Sequence, residues 1–132
     1  MVRALAVDDS RLVRRLVSEI LESFGFQVRA VGNGEEALVA LLEDGAFDLV
    51  VLDWNMPVMD GYTFLTRMRK LDRFKGIPVI MLSARNEMSA VRAALEAGAN
   101  EYLMKPFTPD LLQEKIEMVG LSVMPTSDEG AR

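Results

Sequence analysis

The chain has 132 residues, half of them hydrophobic and 27% charged, with a formal net charge of −5. That balance suits one soluble domain with a single core and argues against a nonspecific nucleic-acid binder. Cysteine and histidine are both absent, which removes disulfides, thiol chemistry, the usual general base, the commonest transition-metal ligand and any phosphohistidine relay within the chain.

The chemistry left to such a chain runs on carboxylates, hydroxyls, lysine and hard metal ions. No apolar run approaches the roughly 20 residues that cross a bilayer, so no membrane insertion is expected. The N-terminus, MVRALAVDDS, reaches two acids too soon for a secretory signal. A cytoplasmic location is the expectation.

In chain order, RALAV (3–7) reads as a buried strand ending at Asp8 and Asp9. A helix follows, with Leu12, Val13, Leu16, Val17, Ile20, Leu21 and Phe24 on one stripe, closed by Gly25. FQVRAV (26–31) is a second strand, and Asn33-Gly34 turns into the helix EEALVALLEDG. FDLVVL (47–52) is the third strand; after a loop over 53–61, Phe64, Leu65, Met68 and Leu71 recur at helical spacing. IPVIML (77–82) is the fourth strand, stopping at Ser83, and an alanine-rich helix over 88–98 ends at Gly98. EYLM (101–104) is a short fifth strand ending at Lys105. The last helix has Thr108 as N-cap, Pro109 in its first turn, Asp110 on the dipole and Gly120 as stop. Residues 1–121 are read as one domain and 122–132, of turn composition, as a flexible tail.

Strands alternating with helices call for an α/β fold, a doubly wound five-stranded parallel sheet with helices on both faces and right-handed crossovers. In such sheets the functional crevice lies beyond the carboxyl ends of the strands. Asp8 and Asp9, Asp53, Ser83 and Lys105 each stand where a strand ends, so all can reach one crevice.

Singly these residues have ordinary roles: a turn former, a helix cap, a solvated charge. Together they make a chemical set. Crowded carboxylates repel, and one is driven toward its neutral form unless a cation intervenes. Mg²⁺ suits the place, since it takes oxygen ligands, keeps waters and is commonly shared with phosphate. Asp53 would then stay ionised and attack a phosphoryl group, while Lys105 and Ser83 hold the other phosphoryl oxygens. The product is an aspartyl phosphate. Ala84 is small enough to leave the phosphoryl group room, and Asn55 offers an amide near the path of a hydrolytic water but is a poor base, so hydrolysis should be slow.

The blocks VDDS, LDWNMPVMDG, MLSA and EYLMKPFTP, in that order and over about residues 3 to 120, resemble the receiver domain of the bacterial two-component response regulators. DWNMP, MDG and KPF are similar to the stand-alone chemotaxis regulators of that family, the CheY type. The resemblance implies a flavodoxin-like sheet of strand order 2-1-3-4-5. It implies that Asp53 accepts phosphate from a sensor histidine kinase or a histidine phosphotransfer protein. Asp9, Asp53 and the backbone carbonyl of Asn55 would ligate Mg²⁺, with Asp8 acting through water, and Ser83 and Lys105 would contact the phosphoryl oxygens. Tyr102 would be the switch aromatic that follows Ser83, and the Lys105-Pro106 bond would be cis. A downstream protein is expected to bind the face formed by residues 88–119.

Two departures flank the site: Val58 and Arg85 stand where the enteric chemotaxis member has an amide and an acid. They leave the lifetime of the phosphorylated state, and any dedicated phosphatase, open. Three other readings share the inventory. One is the receiver half of a longer regulator, although no basic recognition helix is present. Another is a phosphorelay or phosphate-sink receiver. The third is a haloacid-dehalogenase-like phosphatase, whose nucleophile would instead follow the first strand. The helix face RLVRR, with Arg11, Arg14 and Arg15, reads equally as a solvated surface or a kinase-docking one.

Overall fold

The computed structural model describes residues 2–123, so nearly all of the expected tail lies outside the described residues. The elements are β1 (Arg3–Val7), α1 (Arg11–Ser23), β2 (Gln27–Val31), α2 (Gly34–Glu43), β3 (Leu49–Asp53) and α3 (Gly61–Arg69). A 3-10 turn (Asp72–Phe74) leads to β4 (Val79–Ser83), α4 (Met88–Ala97), β5 (Glu101–Met104) and α5 (Pro109–Met118). The strands are all parallel and lie in the order β2-β1-β3-β4-β5. The expected fold and strand order are therefore those observed.

The alternation of side chains along a strand divides the core in two. Leu5, Val7, Val50, Leu52, Val79 and Met81 face one way, against Ala37 and Leu41 of α2, Phe64 and Met68 of α3, and Ala90 and Ala94 of α4. Ala4, Ala6, Leu49, Val51, Ile80 and Leu82 face the other, against Val17 and Leu21 of α1 and Leu112 and Ile116 of α5. β3 and β4 are buried along their whole length, which is why both read as near-continuous apolar runs.

Four of the five helices begin on a side-chain cap: Ser10, Asn33, Asp60 and Thr108 accept from the backbone N–H of Val13, Glu36, Thr63 and Leu111. α4 is the exception, since Glu87 at its N-cap position makes no such bond.

Three details differ from expectation. Leu12 and Leu16 lie on the solvent side of α1, 76% and 49% exposed; the stripe is wider than the arc of helix that one sheet face can cover. Leu71 is likewise exposed and precedes the 3-10 turn rather than extending α3. β3 and β4 begin at Leu49 and Val79, two residues later than the apolar runs, and end one residue further on, at Asp53 and Ser83. Phe47 is buried although it precedes β3, so apolar character there records burial and not ladder pairing.

Candidate functional site

Four strand ends build the site. Asp8 follows β1, and its N–H donates to the Val31 carbonyl at 3.1 Å. Asp53 is the last residue of the central strand β3, opposite Leu82. Ser83 closes β4 opposite Met104, and the Lys105 N–H donates to the Ser83 carbonyl at 2.9 Å. Both carboxylates at the strand ends, Asp8 and Asp53, are buried, as is Ser83.

Ligand oxygens of Asp8, Asp9 and Asp53 all lie within 4.8 Å of one another. The Lys105 ammonium donates to Asp8 Oδ2 at 2.9 Å and to Asp53 Oδ1 at 3.2 Å. The Ser10 N–H donates to Asp8 Oδ1 at 2.9 Å. Asp9 is exposed, and its carboxylate takes no hydrogen bond among the described residues.

Burial raises the Asp53 pKa, the charge of Asp8 raises it further, and Lys105 and the Trp54 backbone N–H only partly offset them. Burial pulls the Lys105 pKa down, but the hydrogen bond to Asp8 and the charges of Asp53 and Asp8 outweigh it, so the net movement is upward. A raised Asp beside a raised Lys looks inconsistent for a simple ion pair. The explanation is sharing: one ammonium serves two carboxylates, which holds the lysine charged and leaves Asp53 under-compensated. An all-oxygen donor set with surplus negative charge and one open carboxylate fits a hard divalent cation such as Mg²⁺.

The loop after β3 is shaped to bring α3 under Asp53. Gly61 donates its N–H to the Trp54 carbonyl at 2.8 Å, and a Cβ at that position would meet the Asp53 carbonyl oxygen at 2.1 Å. Val58, the first departure, is exposed with φ of 69°, and the Met59 N–H donates to the Pro57 carbonyl at 2.7 Å. That is a γ-turn with a β-branched residue at its centre, a strained conformation. The Asn55 side chain is exposed in the same loop.

Arg85, the second departure, is tied into this loop. Its guanidinium lies 4.5 Å above the Trp54 ring, whose centroid is 5.6 Å from that of the stacked Tyr62. Its Nε donates to Glu87 at 2.8 Å. Its backbone joins two other expected residues: the N–H donates to Ser83 Oγ at 3.0 Å, and the carbonyl accepts from the Tyr102 hydroxyl at 2.8 Å. With its oxygen engaged as acceptor, the Ser83 hydroxyl keeps its proton free to donate. Ala84 is exposed beside it. A groove of about 380 Å³, lined by Val13, Leu16, Ala84, Lys105, Pro106 and Phe107, opens next to the lysine. The Lys105-Pro106 peptide bond is cis, as the resemblance implies.

Asp8, Asp9, Asp53 and Lys105 thus share one crevice; Ser83 ends the neighbouring strand, and Arg85 and Tyr102 are joined to it through the β4–α4 loop. One residue expected on a solvated or kinase-docking face instead turns to the site: Arg14 of α1, whose Nη1 donates to the Asp8 carbonyl at 2.8 Å. A signal for it exists, because side chains in a helix lean toward its N-terminus, and a long cation in the first turn reaches the preceding loop.

A doubly wound parallel sheet in the order β2-β1-β3-β4-β5, with its crevice at the switch point between β1 and β3, defines the flavodoxin-like class of α/β proteins. Residues 4–117 match the response regulator receiver domain, and the chain belongs to that family. It is 39% identical over 119 residues to the chemotaxis protein CheY1 of Helicobacter pylori, covering 89% of this chain and 96% of that one. It is 37% identical over 118 residues to the chemotaxis protein CheY of Pseudomonas aeruginosa, covering 89% and 95%. The solved structure of CheY4 from Vibrio cholerae superposes with a TM-score of 0.84 at 34% identity, covering 90% of this chain and 98% of that one. The chain is accordingly a receiver domain of the CheY type. The phosphatase alternative falls with this family assignment.

Proposed function

We propose that the chain is the phosphoacceptor of a two-component system, with Asp53 as the acceptor residue. The observation that carries this reading is the under-compensated Asp53 carboxylate, buried at the end of the central strand with Lys105 Nζ 3.2 Å away. An Asp53 oxygen forms a bond to phosphorus as the P–N bond to the donor's histidine breaks, and the electron pair returns to that imidazole. The Lys105 ammonium then passes from pairing carboxylates to holding a phosphoryl oxygen, and the free proton of Ser83 Oγ holds another. Asp9, Asp53 and the backbone carbonyl of Asn55 would hold Mg²⁺, with Asp8 acting through a water. Bound there, the ion neutralises the crowded carboxylates and the incoming phosphoryl oxygens.

Ala84 leaves the phosphoryl group open to its donor, and Asn55, Val58 and Arg85 set the lifetime of the acyl phosphate. The donor is a sensor histidine kinase or a histidine phosphotransfer protein. Output is a phosphorylation-dependent contact of the 88–119 face, switched through Ser83 and Tyr102, with a downstream protein. The chemotaxis proteins among its relatives favour motility as the setting, in the cytoplasm, with residues 1–121 as the working domain.

Incubation with acetyl phosphate and Mg²⁺ tests the reading. Intact-mass measurement should find one added phosphoryl group, lost in Asp53→Asn and on chelation of the metal. Unchanged labelling of the Asn variant refutes the assignment.

A further inference from the structure

We propose that Arg14 is a positioning residue for the cation site, holding the peptide that joins Asp8 to Asp9 so that the Asp9 carboxylate faces Asp53. The proposal rests on the reading of Asp9 as a cation ligand. Arg14 differs from its neighbours on α1. Arg11 and Arg15 are exposed and Arg15 pairs with Glu19, whereas Arg14 is half-buried and turned back toward β1. Its acceptor is the Asp8 carbonyl, 2.8 Å from Nη1. That carbonyl belongs to the planar unit from which Asp9 hangs.

Asp8 has other anchors: its N–H goes to Val31, Oδ1 accepts from Ser10 and Oδ2 accepts from Lys105. Asp9 has none on its side chain among the described residues, yet its carboxylate lies within 4.8 Å of both other acids. Like charges would drive it away toward solvent, so the backbone must aim it, and Arg14 is the side chain that grips that backbone.

The loop between β2 and α2 packs beside the grip. Gly32, in the loop between β2 and α2, lies against the guanidinium, and a Cβ there would stand 3.4 Å from Nη1. Glu36 accepts from the Gly32 N–H at 2.8 Å and fixes that loop from behind. The arrangement also avoids competition. A guanidinium paired with Asp9 would occupy the oxygens that a cation needs; bonded to a carbonyl, it leaves them open.

Two roles for Arg14 have opposite signs. By Coulomb's law alone, removing a cation beside the site strengthens Mg²⁺ binding. Loss of positioning weakens it, by about tenfold on the scale seen when a partner that orients a metal ligand is removed. Mg²⁺ titrations followed by Trp54 fluorescence, with far-UV circular dichroism as the check on folding, separate them. The wild-type response should be lost in Asp9→Ala; a wild-type protein with no such response would overturn the cation site itself. With that response in hand, Arg14→Ala should bind Mg²⁺ about tenfold more weakly, Arg14→Lys should fall between, and Arg15→Ala should match the wild type. Wild-type or tighter affinity in Arg14→Ala overturns the positioning role and leaves the site standing. If Arg14→Ala does not fold, Arg14→Lys decides: it keeps the charge and loses the rigid fork, so weaker binding supports the proposal and unchanged binding overturns it.

Discussion

A carboxylate at the end of a fully buried strand is costly to keep ionised, and Asp53 has that cost only partly offset. Burial and the charge of Asp8 raise its pKa above the ordinary 3.8. The folded state therefore disfavours the charged form. The penalty is absent below the ordinary carboxylate pKa, grows as pH rises through the raised folded value and is complete above it. Asp53→Asn keeps the shape and removes the charge. Without divalent cation, the variant should melt a few degrees above the wild type near neutral pH, and the gap should close as the solution is made acid. Adding Mg²⁺ should raise the wild type and leave the variant nearly unchanged. Melting curves across pH, with and without the metal, measure both effects; a variant less stable at neutral pH would mean that Asp53 stabilises the resting fold.

The elements that deliver these residues depend on small side chains at close approaches. Gly61 opens α3 directly beneath the Asp53–Trp54 peptide, with no room for a Cβ at 2.1 Å from the Asp53 carbonyl oxygen. Gly61→Ala must push α3 away from β3 and is expected to cost about 3 kcal/mol, the upper end for an overpacked core. It should also weaken Mg²⁺ binding, because the displaced backbone carries Asp53. Denaturant midpoints and metal titration check the two effects separately. Much of this was legible in the sequence. Val-rich and Leu-rich runs ending in Asp, Ser and Lys located the crevice, because a parallel sheet puts every strand's carboxyl end on one edge. What was not legible depends on packing between distant segments. Leu12 and Leu16 carry the right period and still face solvent, since period cannot say how much of a helix the sheet covers. Nothing local predicts that Arg85 would stack on Trp54, 31 positions away.

On the scale of the whole molecule, the route from Asp53 to the surface is short and runs through backbone. The Arg85 N–H is bonded to Ser83 Oγ and the Arg85 carbonyl to the Tyr102 hydroxyl, so a displacement of Ser83 reaches β5 through one residue. The helix beyond that loop is the one with no side-chain cap at its start, which lowers the cost of shifting its first turn. The surface it shares with β5 and α5 carries Met88, Leu95, Met104 and Leu111, all more than 40% exposed, an apolar content suited to a protein partner. A phosphoryl group on Asp53 offers the Ser83 hydroxyl a new acceptor and biases the loop toward it, but only by the difference in how well the two arrangements hold that group. NMR shift mapping with beryllofluoride, a phosphoryl mimic, at saturating Mg²⁺ tests this route. Shifts should extend from residues 53–61 through Ser83–Met88 into α4 and to Tyr102. Tyr102→Phe, which keeps the ring and removes the hydroxyl, should preserve the loop shifts and diminish those of β5. Shifts confined to residues 53–61 would mean that the 88–119 face does not receive the signal.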